Sequence, residues 1–185
     1  MHENTEKVLS RDCEAIRIPS GESIVLPKGS TVLLTQALGG SYTVATADGL
    51  ARITDENADA LGLESLLAKR GTTAEGEVAN VAVDTESVWG ALKTCYDPEI
   101  PVNIVDLGLV YDCVVEQPEG TPAKVQIKMT LTAPGCGMGP VIAREAEQKI
   151  LAIPGVGEAQ VEVVWDPAWN QSMISEVGKM KLGLI

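Results

Sequence analysis

The strongest constraint on the fold is a series of short apolar stretches between residues 13 and 53, each ended by glycine or proline. The stretches are CEAIRI, SIVL, STVLLTQA, SYTVAT and LARI, and the breaks between them are PSGE, PKG, LGG and ADG. Short apolar stretches at this spacing are typical of β-strands joined by tight turns. Gly39 and Gly40 are predicted to form a hairpin turn, because no helix signal or Walker lysine follows them. We therefore predict a small β-rich N-terminal module over residues 1–70.

The pattern changes after residue 54. Two candidate short helices, TDENADALGL and ESLLAK, precede a stretch rich in glycine, threonine, alanine and glutamate. This composition favours a linker, which we place at residues 71–83. The remaining residues, 84–185, are predicted to form a second domain with the order helix, strand, strand, helix, strand, helix. That order indicates an α+β fold in which helices cover one face of a mixed sheet.

Each element of the second domain has its own signal. A helix capped by Asp84 or Thr85 is predicted to run through Cys95 and Tyr96 until the prolines of DPEIP stop it. Strands are predicted over 105–116 and 124–132 as an antiparallel hairpin, and a third strand over 159–165. Helices are predicted over 141–153 and 172–185. Cys95 and Cys113 lie on apolar stretches and are interpreted as core residues.

One cysteine has a different context. Cys136 lies in TLTAPGCGMGP, where a predicted strand gives way to turn residues and then to Pro140 at the start of a helix. Small neighbours leave the sulfur approachable, and the partial positive charge of a helix N-terminus favours a thiolate. Cysteine is also often simply buried, so a packing role and a functional role remain equally open from this context.

Composition excludes several classes of function. Acidic residues outnumber basic ones by 26 to 14, giving a formal net charge of -12, so binding to a nucleic acid is not expected. The first residues are polar and charged, and no run approaches the roughly 18 to 20 apolar residues that span a bilayer. We therefore expect a cytoplasmic protein without a membrane partner. The four cysteines form no CxxC pair, and the only histidine is His2, which argues against a zinc ribbon and a Cys-His dyad.

Four motifs together resemble the iron-sulfur cluster assembly domain family. They are DPEIPVNIVDLGLVYD at residues 97–112, MTLTAPGCG before the second helix of the domain, PGV at 154–156, and WDPAWNQSMIS at 165–175. The resemblance covers about 100 residues closely, and the N-terminal module more loosely resembles the family's bacterial auxiliary maturation branch.

The resemblance implies which residues act. It makes Cys136 the functional thiol, matches Asp97 and Glu99 to the family's acidic DPE motif, and adds Asp106 of the DLG segment as a further ligand. In the family a proline often follows the cysteine, whereas here Gly137 does. The implied cargo is a transient iron-sulfur cluster or iron, held by Cys136 with Asp97 and Glu99, and the metal ligands would be Cys136, Glu99 and Asp106.

The function that this implies is auxiliary iron-sulfur cluster assembly, in which clusters are delivered to apo-proteins. The expected partners are apo iron-sulfur client proteins and the cluster-assembly machinery. Clusters usually need four thiolates, so one exposed cysteine requires a second copy of the chain in a homo-oligomer, carboxylates, small thiols or a client to complete the shell. Two alternatives remain open: a metal-free adaptor that recruits client proteins, and a cysteine thiol enzyme, which would need an activating base.

Overall fold

The computed structural model describes residues 5–65 and 81–185. These residues form two compact units. The first contains the N-terminal sheet and also the short segment Pro98–Pro101, and the second contains the rest of the chain from Thr72 onward. Residues 71–80 of the predicted linker, the end of the second predicted short helix and His2 lie outside the described residues.

The first unit is a six-stranded antiparallel sheet. Its spatial order is β1-β4-β5-β6-β2-β3. The stretches CEAIRI, SIVL and SYTVAT form strands with the predicted bounds, and the strand predicted for STVLLTQA is displaced by one residue. The strands are β1 (Thr5–Val8), β2 (Cys13–Ile18), β3 (Ser23–Leu26), β4 (Thr31–Leu38), β5 (Ser41–Thr46) and β6 (Gly49–Thr54).

Two features of this unit follow directly from its turn residues. Gly39 and Gly40 join β4 to β5 with φ angles of 61° and 82°, a left-handed pair that glycine adopts without a Cβ penalty, so the predicted hairpin turn is confirmed. A 3-10 helix at Asp55–Leu61 follows β6 and ends at Gly62. The core of the unit is a cluster of aliphatic side chains with Cys13 and Tyr42 among them.

The second unit has the predicted order of elements. Its sheet contains β7 (Val110–Glu116), β8 (Ala123–Met129) and β9 (Val156–Val163), with β8 in the centre, antiparallel to β7 and parallel to β9. Its helices are α1 (Thr85–Leu92), α2 (Gly139–Leu151) and α3 (Glu176–Lys181). The predicted mixed sheet is therefore confirmed. The crossover between β8 and β9 is α2, whose buried stripe of Ile142, Ala146 and Ile150 packs towards β9 and α1.

The outward face of this sheet carries alternating charges. In the register of the three strands, each lysine of β8 lies between an acid on β7 and an acid on β9. Cross-strand pairs of opposite charge stabilise a solvated sheet face. The two rows are Asp112, Lys128, Glu162 and Glu116, Lys124, Glu158, with Lys124 Nζ 2.9 Å from Glu158 Oε1.

The first helix is shorter than the sequence predicted. Asp84 caps it as expected, because its carboxylate accepts the Ser87 N–H at 2.5 Å, but α1 ends at Leu92 and not at the prolines. The Thr94 hydroxyl donates to Ala91 O and the Cys95 N–H donates to Leu92 O, which tightens the last turn. Cys95 is nevertheless fully buried, so its interpretation as a core residue is confirmed.

The strand predicted over residues 105–116 begins later, at Val110. Residues 104–108 form a helical turn that ends at Gly108 with φ 72°. The Leu109 N–H donates to Ile104 O and the Gly108 N–H donates to Val105 O, the hydrogen-bond pair of a Schellman C-cap. The apolar run alone resembles a strand, and the glycine that divides it was the signal for the turn.

The C-terminal stretch is also less regular than predicted. A 3-10 helix at Gln171–Met173 precedes α3, and Ser175 caps α3 by accepting the Gly178 N–H at 3.0 Å. Trp165 is 47% exposed, whereas Trp169 is half-buried and donates Nε1–H to Leu107 O at 2.8 Å.

No helix among the described residues has the length and apolarity that crossing a bilayer requires.

Candidate functional site

Three sequence motifs meet at one edge of the small sheet. Because β8 and β9 are parallel, the segments that follow them leave the sheet at the same edge, and the segment that precedes the antiparallel β7 arrives there. The register fixes this closely: Met129 is paired with both Val110 and Val163. The DLG turn, the Cys136 loop and the WDPAW segment therefore originate from neighbouring strand ends.

The Cys136 loop connects β8 to α2. The Cys136 N–H donates to Ala133 O at 3.4 Å, and Cys136 O accepts the Gly139 N–H at 3.1 Å, so the thiol lies within the turn that leads into the helix. Its side chain is half-buried. The predicted strand-to-helix loop is thus confirmed, with Pro140 as the second residue of α2.

Two glycines shape this loop. Gly135 has φ 83°, which L side chains adopt only with strain. Gly139 lies against Leu131, and a Cβ at that position would approach Leu131 Cδ1 to 2.4 Å. The first helical turn can therefore pack directly on the segment that follows β8. The sequence GCGMG thus serves close packing as well as access to the sulfur.

The two residues of the acidic DPE motif have different surroundings. Asp97 is 9% exposed, and its N–H donates to Val102 O at 3.3 Å. Glu99 is exposed and belongs to the segment Pro98–Pro101, which is part of the first unit. The two acids belong to one sequence motif, but they lie in different compact units of the structure.

Asp106 is held by a polar network. Its Oδ2 accepts from Asn103 Nδ2 at 2.7 Å and lies 3.5 Å from Lys181 Nζ, and its Oδ1 accepts from the Ser175 hydroxyl at 3.1 Å. Partial burial pushes the pKa of Asp106 upward. The hydrogen bonds from Asn103 and Ser175 and the charge of Lys181 outweigh burial, so this pKa lies below its ordinary value. Asp106 thereby ties the DLG turn to α3.

A groove of about 700 Å³ lies between the start of β7 and the WDPAW segment. The Tyr111 hydroxyl donates to Pro167 O at 2.7 Å and bridges the two sides. Lys128 and Asp166 supply its charged groups, and Met173 supplies an apolar wall. Sequence reasoning missed Tyr111, Asn103 and Ser175, and the only signal was their position inside the family-like motifs.

The remaining cysteines are less suited to bind metal. Cys13 and Cys95 are fully buried, and burial raises the pKa of the Cys13 thiol. Burial, followed by the nearby Asp112 carboxylate, raises the pKa of Cys113 as well. A metal-bound cysteine is a thiolate, so a raised pKa disfavours this role at neutral pH. Within residues 5–65 and 81–185, no three His, Cys, Asp or Glu side chains are grouped so as to hold a metal ion.

The motifs that meet at this edge define an iron-sulfur cluster assembly domain, and the chain belongs to that family. The family model described as "Iron-sulfur cluster assembly protein" matches residues 85–163, which lie within the range of the second unit apart from Pro98–Pro101. The sequence-based prediction of this family is confirmed.

Two relatives specify the likeness further. The Fe-S protein maturation auxiliary factor YitW of Bacillus subtilis is 38% identical over 99 residues, which are 54% of this chain and 93% of the relative. The Fe-S protein maturation auxiliary factor SufT of Staphylococcus aureus is 40% identical over 88 residues, 48% of this chain and 96% of the relative. The expected similarity to the auxiliary maturation branch is therefore confirmed over about half of the chain. A solved domain from Bacillus anthracis, titled DUF59, is 34% identical, with a TM-score of 0.49, covering 54% of this chain and 92% of its own.

Proposed function

We propose that this chain is an auxiliary maturation factor that helps to deliver iron-sulfur clusters to apo-proteins, with the Cys136 thiolate as its principal ligand. The observation that carries this proposal is the position of the Cys136 loop at the sheet edge where three of the four family-like motifs meet. Relatives that are almost completely covered by the alignment are named as maturation auxiliary factors, which supports the role. The cytoplasm, as the compartment of cluster assembly, is part of the same proposal.

Cys136 is favoured over Cys13 and Cys95 by its exposure and over Cys113 by its position. It is half-buried in a loop, whereas Cys13 and Cys95 have no exposed surface. Cys113 is also half-buried, but it lies on β7, where burial and then the neighbouring Asp112 carboxylate raise the pKa of its thiol and make its thiolate harder to form. Iron in clusters is bound by thiolates, so a half-buried cysteine in a loop, rather than one on a strand of the sheet, is the best candidate.

The ligand set that one chain offers is incomplete. Four thiolates usually hold a cluster, and the described residues contain no cluster of three metal-ligating side chains. We propose that Glu99 and Asp97 contribute carboxylate oxygens, and that a second chain, a small thiol or the client supplies the rest. Asp106 would have to release hydrogen bonds at both of its oxygens in order to bind a metal. Incomplete coordination suits transfer of the cluster to a client.

The incomplete ligand set also favours a second candidate function. A metal-free adaptor would recruit client proteins and assembly machinery through its surface and would need no ligand cluster. Trp165, nearly half exposed next to the groove, is the side chain on which such recruitment would depend. The two functions differ in whether Cys136 matters. A thiol enzyme is the least supported alternative, because the relatives are named as maturation factors.

Anaerobic reconstitution tests the proposal. The chain is incubated with iron and sulfide, the visible absorption of the cluster is recorded, and transfer to an apo-protein is measured for wild type and Cys136→Ser. We expect the variant to lose most cluster uptake and most transfer. Cys113→Ser is the matched control, a second half-buried cysteine of the same unit, and should behave like wild type. Equal uptake by Cys136→Ser and wild type would refute the ligand assignment, and intact client maturation by that variant would favour the adaptor.

A further inference from the structure

The short segment Pro98–Pro101 belongs to the first compact unit, although it lies far along the chain from the strands of that unit. It contains Glu99, one of the proposed ligands. Its two prolines have no N–H to donate, so backbone hydrogen bonds that hold it must use its carbonyls or the amides of Glu99 and Ile100.

One such carbonyl is bound by a side chain of the first sheet. The Thr43 hydroxyl donates to Pro98 O at 3.4 Å, in a buried environment. Thr43 is 5% exposed, and Pro98 is also buried. At 3.4 Å the hydrogen bond is long, but a buried carbonyl that loses its donor still costs free energy, because no water replaces the donor.

The same face of the sheet carries a buried arginine. Thr43 and Arg52 are direct cross-strand partners on β5 and β6, so their side chains stand on one face. Arg52 is 1% exposed, and its Nη2 donates to Ser41 Oγ at 3.0 Å. A guanidinium is rarely buried unless its five donors and its charge are used. The patch of Ser41, Thr43 and Arg52 is therefore a polar surface built into the sheet rather than an apolar core.

We propose that this polar patch holds the Pro98–Pro101 segment and that Thr43 is a positioning residue for Glu99. The N-terminal sheet then fixes the backbone conformation of Pro98–Pro101, and this restricts the positions that the Glu99 carboxylate can adopt. The inference that the Glu99 carboxylate of this segment binds the cluster rests on the proposed function.

Two measurements on the full chain test this proposal. The first is hydrogen exchange at the amides of Glu99 and Ile100. In Thr43→Val, which keeps the shape and loses the hydroxyl, exchange should be about two- to tenfold faster, as expected for the loss of one hydrogen bond. Thr43→Ser restores the hydroxyl and should exchange like wild type. Thr35→Val is the matched control, because the Thr35 hydroxyl donates to Thr43 O at 3.0 Å within the same sheet. Equal acceleration in both valine variants, or none in Thr43→Val, would overturn the proposal.

The second measurement is the half-life of the reconstituted iron-sulfide cluster in the presence of an iron chelator. Thr43→Val and Glu99→Gln should each shorten it several-fold, the double variant should be no worse than Glu99→Gln, and Thr43→Ser should restore it. A wild-type half-life for Thr43→Val despite faster exchange would refute the positioning role, while the Cys136→Ser result decides the proposed function separately. If Cys136→Ser binds the cluster normally, the exchange comparison still decides whether the sheet holds the segment.

Discussion

Gly108 shows how much one residue contributes to the candidate site. It closes the DLG turn with φ 72°, and a Cβ there would lie 2.2 Å from Met173 O and 2.7 Å from Met173 C. These contacts are with backbone atoms, which cannot rotate away as a flexible side chain can. The residue is therefore required both by its own conformation and by the segment packed on it.

Gly108→Ala should lower the free energy of unfolding by about 2–4 kcal/mol, since the left-handed conformation alone costs about 1–2 kcal/mol and the clash adds to it. Urea denaturation measures this loss. Gly120→Ala is the matched control, because Gly120 has a similar φ of 75° and open space around its Cβ position. We expect Gly120→Ala to lose only about 1–2 kcal/mol of unfolding free energy, which is what the left-handed conformation costs. The same loss in both variants would show that the contact with Met173 is unimportant.

The role of individual residues was only partly predictable. Cys136 could be singled out because glycines and a strand-to-helix change surround it in the sequence. The anchoring role of Asp106 could not, because two of its partners, Ser175 and Lys181, lie 69 and 75 residues away along the chain. A carboxylate in a family-like motif suggests a ligand, and only the folded chain shows which donors already occupy its oxygens.

At the scale of elements, α3 depends on a small number of polar contacts. Its cap residue, Ser175, binds Asp106 through both backbone and side chain, since the Ser175 N–H donates to Asp106 O at 2.8 Å. Gly178 lets the helix approach closely, because a Cβ there would come within 2.7 Å of the same carbonyl. The Asp106 carboxylate is thus the electrostatic link between α3 and the sheet edge.

This link makes the docking of α3 dependent on pH. The pKa of Asp106 is lower in the folded chain than in the unfolded chain, so its stabilisation is present above the unfolded value of about 3.9 and is lost as pH falls through the folded value. Asp106→Asn should cost about 1–2 kcal/mol of unfolding free energy at pH 7, as charge-assisted hydrogen bonds do, and less near pH 3. Urea titrations at the two pH values measure this.

Asp48→Asn is the control for this experiment. Asp48 is exposed in the turn between β5 and β6, where solvent screens its charge, so the substitution should change stability little at either pH. A loss for Asp106→Asn that is independent of pH would contradict the electrostatic link and point to packing alone.

Strands were predicted more accurately than helices. Glycine and proline turns set the ends of β2, β3 and β5, because each hairpin ends where the chain must adopt a conformation that strands cannot. β1 was missed because TEKV has a single large apolar residue, and an edge strand gains its order from hydrogen bonds to β4. The length of α1 was overestimated because apolar spacing continues through Cys95, which is buried after the chain has already turned.

At the scale of the whole molecule, the incomplete ligand set predicts an effect on association. If two chains share one cluster through their Cys136 thiolates, anaerobic reconstitution should convert single chains into pairs, as measured by light scattering during size-exclusion chromatography. Cys136→Ser should remain unchanged in mass after the same treatment. A cluster that binds while the mass stays that of one chain would contradict sharing and would assign the missing ligands to small thiols or to a client.

The parallel pairing of β8 with β9 has a consequence for the order in which a newly made chain gains this edge. Cys136 and its loop are synthesised before α2 and β9, so the central strand acquires its second neighbour only after residue 163 has left the ribosome. A nascent chain therefore contains Cys136 before it contains β9 and the WDPAW segment. The segments after β9, which leave the sheet at the same edge as the Cys136 loop, are the last part of this edge to emerge.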